Sequence, residues 1–275
     1  MPGLLPRKPG IFLPDPIMAL PDPMSCVTEP VVTESVVTEP VVTEAIGNPL
    51  TRQRSVRSFV LREGRLTRAQ AQALETLWPR FGIPLANPLD WEALFGRQAP
   101  VTLEIGFGNG ESLAQQAQEQ PERNFVGIEV HRPGIGHLLT EIARRGLSNL
   151  RLLRADAVEV LTTGVSPGSL DTVQVFFPDP WPKARHHKRR LLQPAFLRQI
   201  HTALRPGGRL HLATDWADYA EFMQEVLREG EEEGFWQPEG PQPWPERPVW
   251  RPETRFERRG TRLGHSVRDF VYRRI

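Results

Sequence analysis

From residue 99 to residue 233 short apolar runs alternate with longer stretches whose apolar positions recur every three or four residues. The runs at 101–105, 124–130, 150–154, 171–177 and 208–213 predict strands, and the stretches at 110–119, 134–145, 156–162, 191–204 and 217–233 predict helices. Strictly alternating elements of this kind specify an α/β fold with a doubly wound, mostly parallel sheet. Arg205-Pro206-Gly207-Gly208 supplies the breakers expected after the fourth helix. Further on, 267–274 alternates well enough for an antiparallel edge strand. Upstream, Thr67 predicts the N-cap of a helix reaching Trp78, with Ala71, Leu74 and Leu77/Trp78 on one face, and Pro79 to Pro88 break it.

The pattern fails before residue 49. Ten of the 28 prolines lie before Leu50, and residues 26–45 repeat a Val-Val-Thr-Glu unit with a period of five, which offers neither a strand face nor a helix face. The expected organisation is a disordered low-complexity tail (1–48), a basic N-terminal extension with one helix (49–98) and the α/β domain (99–275).

Composition narrows the classes. No apolar stretch approaches the ~20 residues of a membrane span, and prolines interrupt any signal-peptide core near Arg7 and Lys8. A single cysteine, Cys26, leaves no internal disulfide and no cysteine metal site. The expectation is a cytoplasmic protein with no bound metal and no membrane partner. The net charge of +1 conceals clusters: Lys183-Ala-Arg-His-His-Lys-Arg-Arg190, and nine arginines against three acids from Arg247 onward. Clustered Arg and Lys on a balanced chain point to a polyanion.

Candidate chemistry gathers at the ends of the predicted strands. Gly106, Gly108 and Gly110 follow the first, a turn in which a ligand approaches backbone N–H groups at a helix N-terminus. The spacing G-x-G-x-G is one residue short of the dinucleotide fingerprint. Glu104 beside it would repel a pyrophosphate but suits a cationic amino-acid ligand, a combination that resembles the first motif of S-adenosylmethionine-dependent methyltransferases. Glu129 ends the second strand, where an acid accepts from ribose hydroxyls. Asp156 follows the third and suits either an adenine amino group or an N-cap. The fourth ends Phe176-Phe-Pro-Asp-Pro-Trp-Pro-Lys183, in which two prolines stiffen the chain around Asp179 and Trp181 offers a flat face for stacking a base. Asp215, three residues before Asp218, suits a ligand role or a helix cap equally.

Several stretches together resemble the bacterial tRNA (guanine-N7-)-methyltransferases. They are RSFVLREGRLT (57–67), ALFGRQAPVTLEIGFGNG (93–110), GIEVH (127–131), GLSNLR (146–151), FFPDPWPKARHHKRR (176–190), ATDW (213–216) and TRFERRGTRLGH (254–265), in order over roughly residues 55–275. The resemblance implies a Rossmann-like class I methyltransferase fold, S-adenosyl-L-methionine as methyl donor and tRNA as partner, with N7 of the guanine at position 46 in the variable loop as target. It implies that Glu104, Glu129 and Asp156, with Gly106, Gly108 and Gly110, bind the cofactor. Asp179 would be the active-site acid, also near the cofactor, and Lys183, Asp215, Thr254, Arg255, Phe256 and Glu257 would contact the substrate. A monomer is expected, with a dimer left open, as is whether Asp179 takes a proton from guanine or only stabilises charge.

Overall fold

A computed structural model describes residues 57–59, 64–85 and 88–275. The expected tail at 1–48 lies outside the described residues. The α/β core consists of β1 (Val101–Ile105), α4 (Glu111–Glu119), β2 (Asn124–Ile128), α5 (Arg132–Arg145), β3 (Leu150–Leu153), α6 (Ala157–Glu159), β4 (Leu170–Phe176), α7 (Pro194–Ala203), β5 (Leu204–Thr214) and α8 (Ala217–Glu232). Three short helices precede it, α1 (Arg68–Thr76), α2 (Trp78–Phe81) and α3 (Trp91–Phe95), and β6 (Trp236–Pro238), α9 (Arg255–Arg262) and β7 (Arg268–Arg274) follow.

The seven strands run in the order β3-β2-β1-β4-β5-β7-β6, with β1 to β5 mutually parallel and β7 antiparallel to both its neighbours. All five residues of β1 and of β2 are buried, as expected where helices cover both faces of a parallel sheet. Leu103, Ile105, Val173, Val175, Ile200 and Leu227 belong to one core, and Phe107, Leu113, Phe125, Ile135, Leu139 and Leu150 to the other. Chain order reverses between β1 and β4, so a crevice opens at their carboxyl ends, the position where such sheets take ligands.

Some expected elements are redrawn. Thr67 caps α1 through a reciprocal pair with Gln70, but the single helix to Trp78 is two helices. Pro79 lies in the first turn of α2, where its missing N–H costs nothing, and so starts a helix rather than ending one. The described residues of the extension therefore hold three helices, the third capped by the Asp90 carboxylate, which accepts from the Ala93 N–H at 3.0 Å. The stretch at 156–162 becomes α6 continued by a π-helical turn, Val160–Gly164. Pro206 and Gly207 do not simply close α7; they fall inside β5, which begins at Leu204 opposite Leu170 and shifts register before Arg209. The last strand is antiparallel as expected but is not the edge, because β6, only three residues long, pairs outside it.

Candidate active site

The turn from β1 into α4 holds Gly106, Gly108 and Gly110 at φ of 73°, 58° and 73°, a region that costs L side chains but not glycine. The turn is also pressed from outside: a Cβ on Gly134 of α5 would stand 2.1 Å from the Gly108 carbonyl oxygen. At the end of β2 the Glu129 carboxylate locks the turn in place. One oxygen accepts from the Gly108 N–H at 2.9 Å, the other from the N–H groups of Val130 and His131 at 2.7 and 3.0 Å.

Glu104 faces the same space in a different state. It is 3% exposed, and its Oε2 has no hydrogen-bond partner among the described residues. Burial, and to a lesser degree the charge of Glu129, push its pKa up to about 8. A buried carboxyl oxygen without a donor is costly, and nothing among the described residues offsets that cost at Glu104. Asp156 caps the next helix, its Oδ1 accepting from the Val158 N–H at 2.9 Å; its neighbours Ala155 and Ala157 line the cavity.

That cavity, about 870 Å³, extends from the glycine turn, Glu104 and Glu129 to Pro178, Asp179 and the start of α9. Phe177 and Trp181, at φ of 52° and 47°, bracket Pro178-Asp179-Pro180. Non-glycine residues in this region cost about 1–3 kcal/mol each, and such strain persists only where surroundings enforce it. The enforcement comes from Arg190. Its buried guanidinium donates to the Pro180 carbonyl at 3.0 Å, pairs with Asp218 and lies over the rings of Tyr219 and Phe222 at 4.9 and 5.3 Å. Arg190 closes the basic run in the sequence, yet it is a brace for the Asp179 turn. Lys183, Arg185 and Lys188 are exposed on or beside the 3₁₀ helix Ala184–Arg189.

The flat face expected of Trp181 is already engaged: Arg189 lies 5.0 Å from the ring centroid, His186 meets it edge-on, and the indole N–H donates to the Ser58 carbonyl at 3.0 Å. The exposed aromatic at the cavity is Phe256, 56% exposed, with its ring 3.6 Å from where a Gly108 Cβ would stand.

Thr254 begins α9 as the partner of Glu257 in a reciprocal cap, and Thr254, Arg255 and Phe256 all line the cavity. Glu257 does not. Its carboxylate turns inward onto Arg251 at 2.6 and 3.2 Å, and Arg251 also grips Asp269 at 2.6 and 2.9 Å, which in turn meets His211 at 2.8 Å. Asp215 is neither a lining residue nor a cap. Thr214 Oγ1 accepts from the Trp216 N–H before α8, while Asp215 lies 3.2 Å from His265 and against Gly260 of α9. Lys183 also stays outside the cavity. The residues brought together are thus Glu104, the three glycines, Glu129, Asp179, Thr254, Arg255 and Phe256.

The lining residues that the sequence does not single out include Ser58, Phe59, Arg259 and Arg262. Nothing local marks Ser58 or Phe59. Arg259 and Arg262 follow Arg255 at helical spacing, a legible signal.

Comparison with known proteins agrees with this arrangement. A family described as "Putative methyltransferase" matches residues 98–270. A tRNA (guanine-N(7)-)-methyltransferase of Alkalilimnicola ehrlichii is 58% identical over 228 residues, covering 82% of this chain and 94% of that protein. One from Methylococcus capsulatus is 57% identical over 221 residues, covering 80% and 95%. The crystal structure of the 16S rRNA methyltransferase KamB superposes with a TM-score of 0.50 at 20% identity, covering 67% of this chain and 92% of that one, a likeness of fold. The strand order, the acid-lined crevice and these identities give one conclusion: the chain belongs to the tRNA (guanine-N(7)-)-methyltransferase family.

Proposed function

We propose that this protein is a cytoplasmic enzyme that methylates N7 of a guanine in tRNA, at position 46 of the variable loop, with S-adenosyl-L-methionine as donor. The observation that carries the reading is Glu104, whose buried oxygen without a donor shares one cavity with Asp179 on its strained turn. The residues fit such a cofactor. Glu104 would take its ammonium group, Glu129 its ribose hydroxyls, Asp156 its adenine amino group, and the backbone at Gly106, Gly108 and Gly110 its close approach. When bound, it supplies a methyl group on a sulfonium centre.

Guanine N7 carries an in-plane lone pair and no proton, so its attack needs no base at that atom. Positive charge passes to the purine as the methyl arrives. The Asp179 carboxylate, accepting from the guanine N1–H and amino group, would orient N7 and stabilise that charge. Phe256 offers the guanine a ring face and Arg255 a cation, and Thr254 fixes the helix that presents both. Lys183 and Asp215, outside the cavity, would meet flanking parts of the RNA, and Glu257 would act through Thr254 and Arg251.

Product mapping tests the reading. Unmodified tRNA incubated with the protein and labelled donor should become alkali-labile at one variable-loop guanine, the property of N7-methylguanosine. Label on an exocyclic nitrogen, or no transfer, would overturn it.

A further inference from the structure

The arginines in and just before α9 fall into two sets. Two are neutralised: Arg258, exposed on the same stripe of the helix, lies 3.3 Å from Glu111 and 3.5 Å from Glu253, and the buried Arg251 is sealed between Glu257 and Asp269. Arg255, Arg259 and Arg262 are different. Their spacing of four and three residues aligns them on one helical face, all three line the cavity, and all three are exposed. Among the described residues none of them forms an ion pair; Arg262 donates to the Arg258 carbonyl oxygen at 3.2 Å. Like charges at this spacing repel one another along a helix, so the face is unfavourable until an anion meets it.

We infer that the Arg255–Arg259–Arg262 face of α9 holds phosphodiester groups of the RNA strand whose guanine enters the cavity. Seven residues of helix rise about 10 Å, a span that a succession of phosphates can follow and a single carboxylate cannot. The planar guanidinium fork also matches two phosphate oxygens at once. The face is separate in sequence and in fold from the exposed cations at Lys183, Arg185 and Lys188, which lie beyond the Asp179 turn. The strand would therefore be gripped on two elements, the 3₁₀ helix and α9, with the target base between them. The inference rests on the tRNA reading above and adds Arg259 and Arg262 to its contacts.

The test compares two variants of one helix. Arg259→Gln/Arg262→Gln removes two unpaired cations from the cavity face, and Arg258→Gln removes the neighbouring cation already paired with Glu111 and Glu253. Affinity for unmodified tRNA is measured from 50 to 300 mM salt. The double variant should lower the slope of log affinity against log salt by about 1.4–1.8, at 0.7–0.9 per phosphate, while Arg258→Gln leaves the slope at the wild-type value. Affinity for S-adenosylhomocysteine, titrated without RNA, should stay within about twofold in both. A wild-type slope in the double variant overturns the inference, as does an equal drop in Arg258→Gln, which would make the effect one of net charge. Loss of S-adenosylhomocysteine affinity with an unchanged slope overturns it in favour of the cofactor carboxylate. Product mapping on the wild type separates the two readings. Methylation away from guanine N7 with a lowered slope in the double variant refutes the proposed function and leaves this inference standing.

Discussion

The two ends of the crevice are built by different means. At the β1–β2 end the chain holds itself by its own backbone. Three glycines turn it, and Glu129 ties the turn through three N–H groups, all within residues 106–131. At the β4–β5–β7 end the holding groups are ions drawn from distant sequence: the buried Arg190 with the exposed Asp218 beside the Asp179 turn, and the buried set of Arg251 with Glu257 and Asp269 under α9. The donors at the first end are backbone groups that meet a single side chain, Glu129, whereas at the second each buried ion leaves a stranded partner when its mate is lost. The end assigned to the cofactor should therefore be robust and local, and the end assigned to the RNA strong but brittle.

The largest effect expected from that difference is at Arg251. Arg251→Met keeps most of the volume but leaves the carboxylates of Glu257 and Asp269 without their shared cation. Breaking a buried pair in this way costs about 3–5 kcal/mol, and at about 2–4 °C per kcal/mol for a domain of this size the Tm should fall by roughly 6–20 °C. Calorimetry on the purified variant reads this directly. Below the transition, S-adenosylhomocysteine affinity should stay within about twofold, since no group of the glycine turn is touched. A Tm within about 2 °C of wild type would show that the network is not what holds α9 in place, and the comparison would fail.

At Asp179 the effect is on turnover. Asp179→Asn keeps the shape but replaces one acceptor with an NH₂ donor facing the guanine N1–H and amino group, and it removes the charge that offsets the purine cation. Single-turnover methylation should slow by roughly 10²–10³-fold, while tRNA affinity, governed by phosphates, changes little. A rate within about threefold of wild type would reduce Asp179 to a part of the turn.

The same division explains what could be read in the sequence. Glu104 and Glu129 stand at the ends of apolar runs, and the glycines follow the first run directly, so strand pattern and spacing located them. Arg190 has the same chemistry as Lys188 and Arg189 in one basic run, and only the fold reveals that it points inward to Asp218 while its neighbours remain at the surface. For Glu257 the family resemblance alone implies a substrate contact, and nothing in Thr-Arg-Phe-Glu indicates that its carboxylate also pairs with the buried Arg251. Arg251 and Asp269 are eighteen residues apart and meet only because β7 returns beside β5. Among the elements, α3 and β6 escaped because five and three residues are too few for a period to show. Pro79 was read as a breaker because a proline that ends one helix and a proline that starts the next look alike.

The smallest and sharpest effect is a pH dependence at Glu104. With a pKa of about 8 in the folded protein against 4.5 for the free side chain, the folded state holds a proton between those values that the unfolded state has released. The ligand-free protein is therefore most favoured below pH 4.5 on this account, and it loses that contribution as pH rises through 8. A ligand ammonium reverses the preference by favouring the carboxylate, so binding below pH 8 must expel the proton. S-adenosylhomocysteine affinity should accordingly rise from pH 6 to 7.5 by roughly five- to tenfold per unit, with release of about one proton per ligand at pH 6.5. Titration calorimetry in two buffers of different ionisation enthalpy measures both quantities. Glu104→Gln should bind more weakly and with a flat profile, because the amide has no proton to give up. Should the wild-type affinity prove independent of pH with no proton released, Glu104 is not the ammonium partner, and the β1–β2 end holds its ligand by the backbone and Glu129 alone.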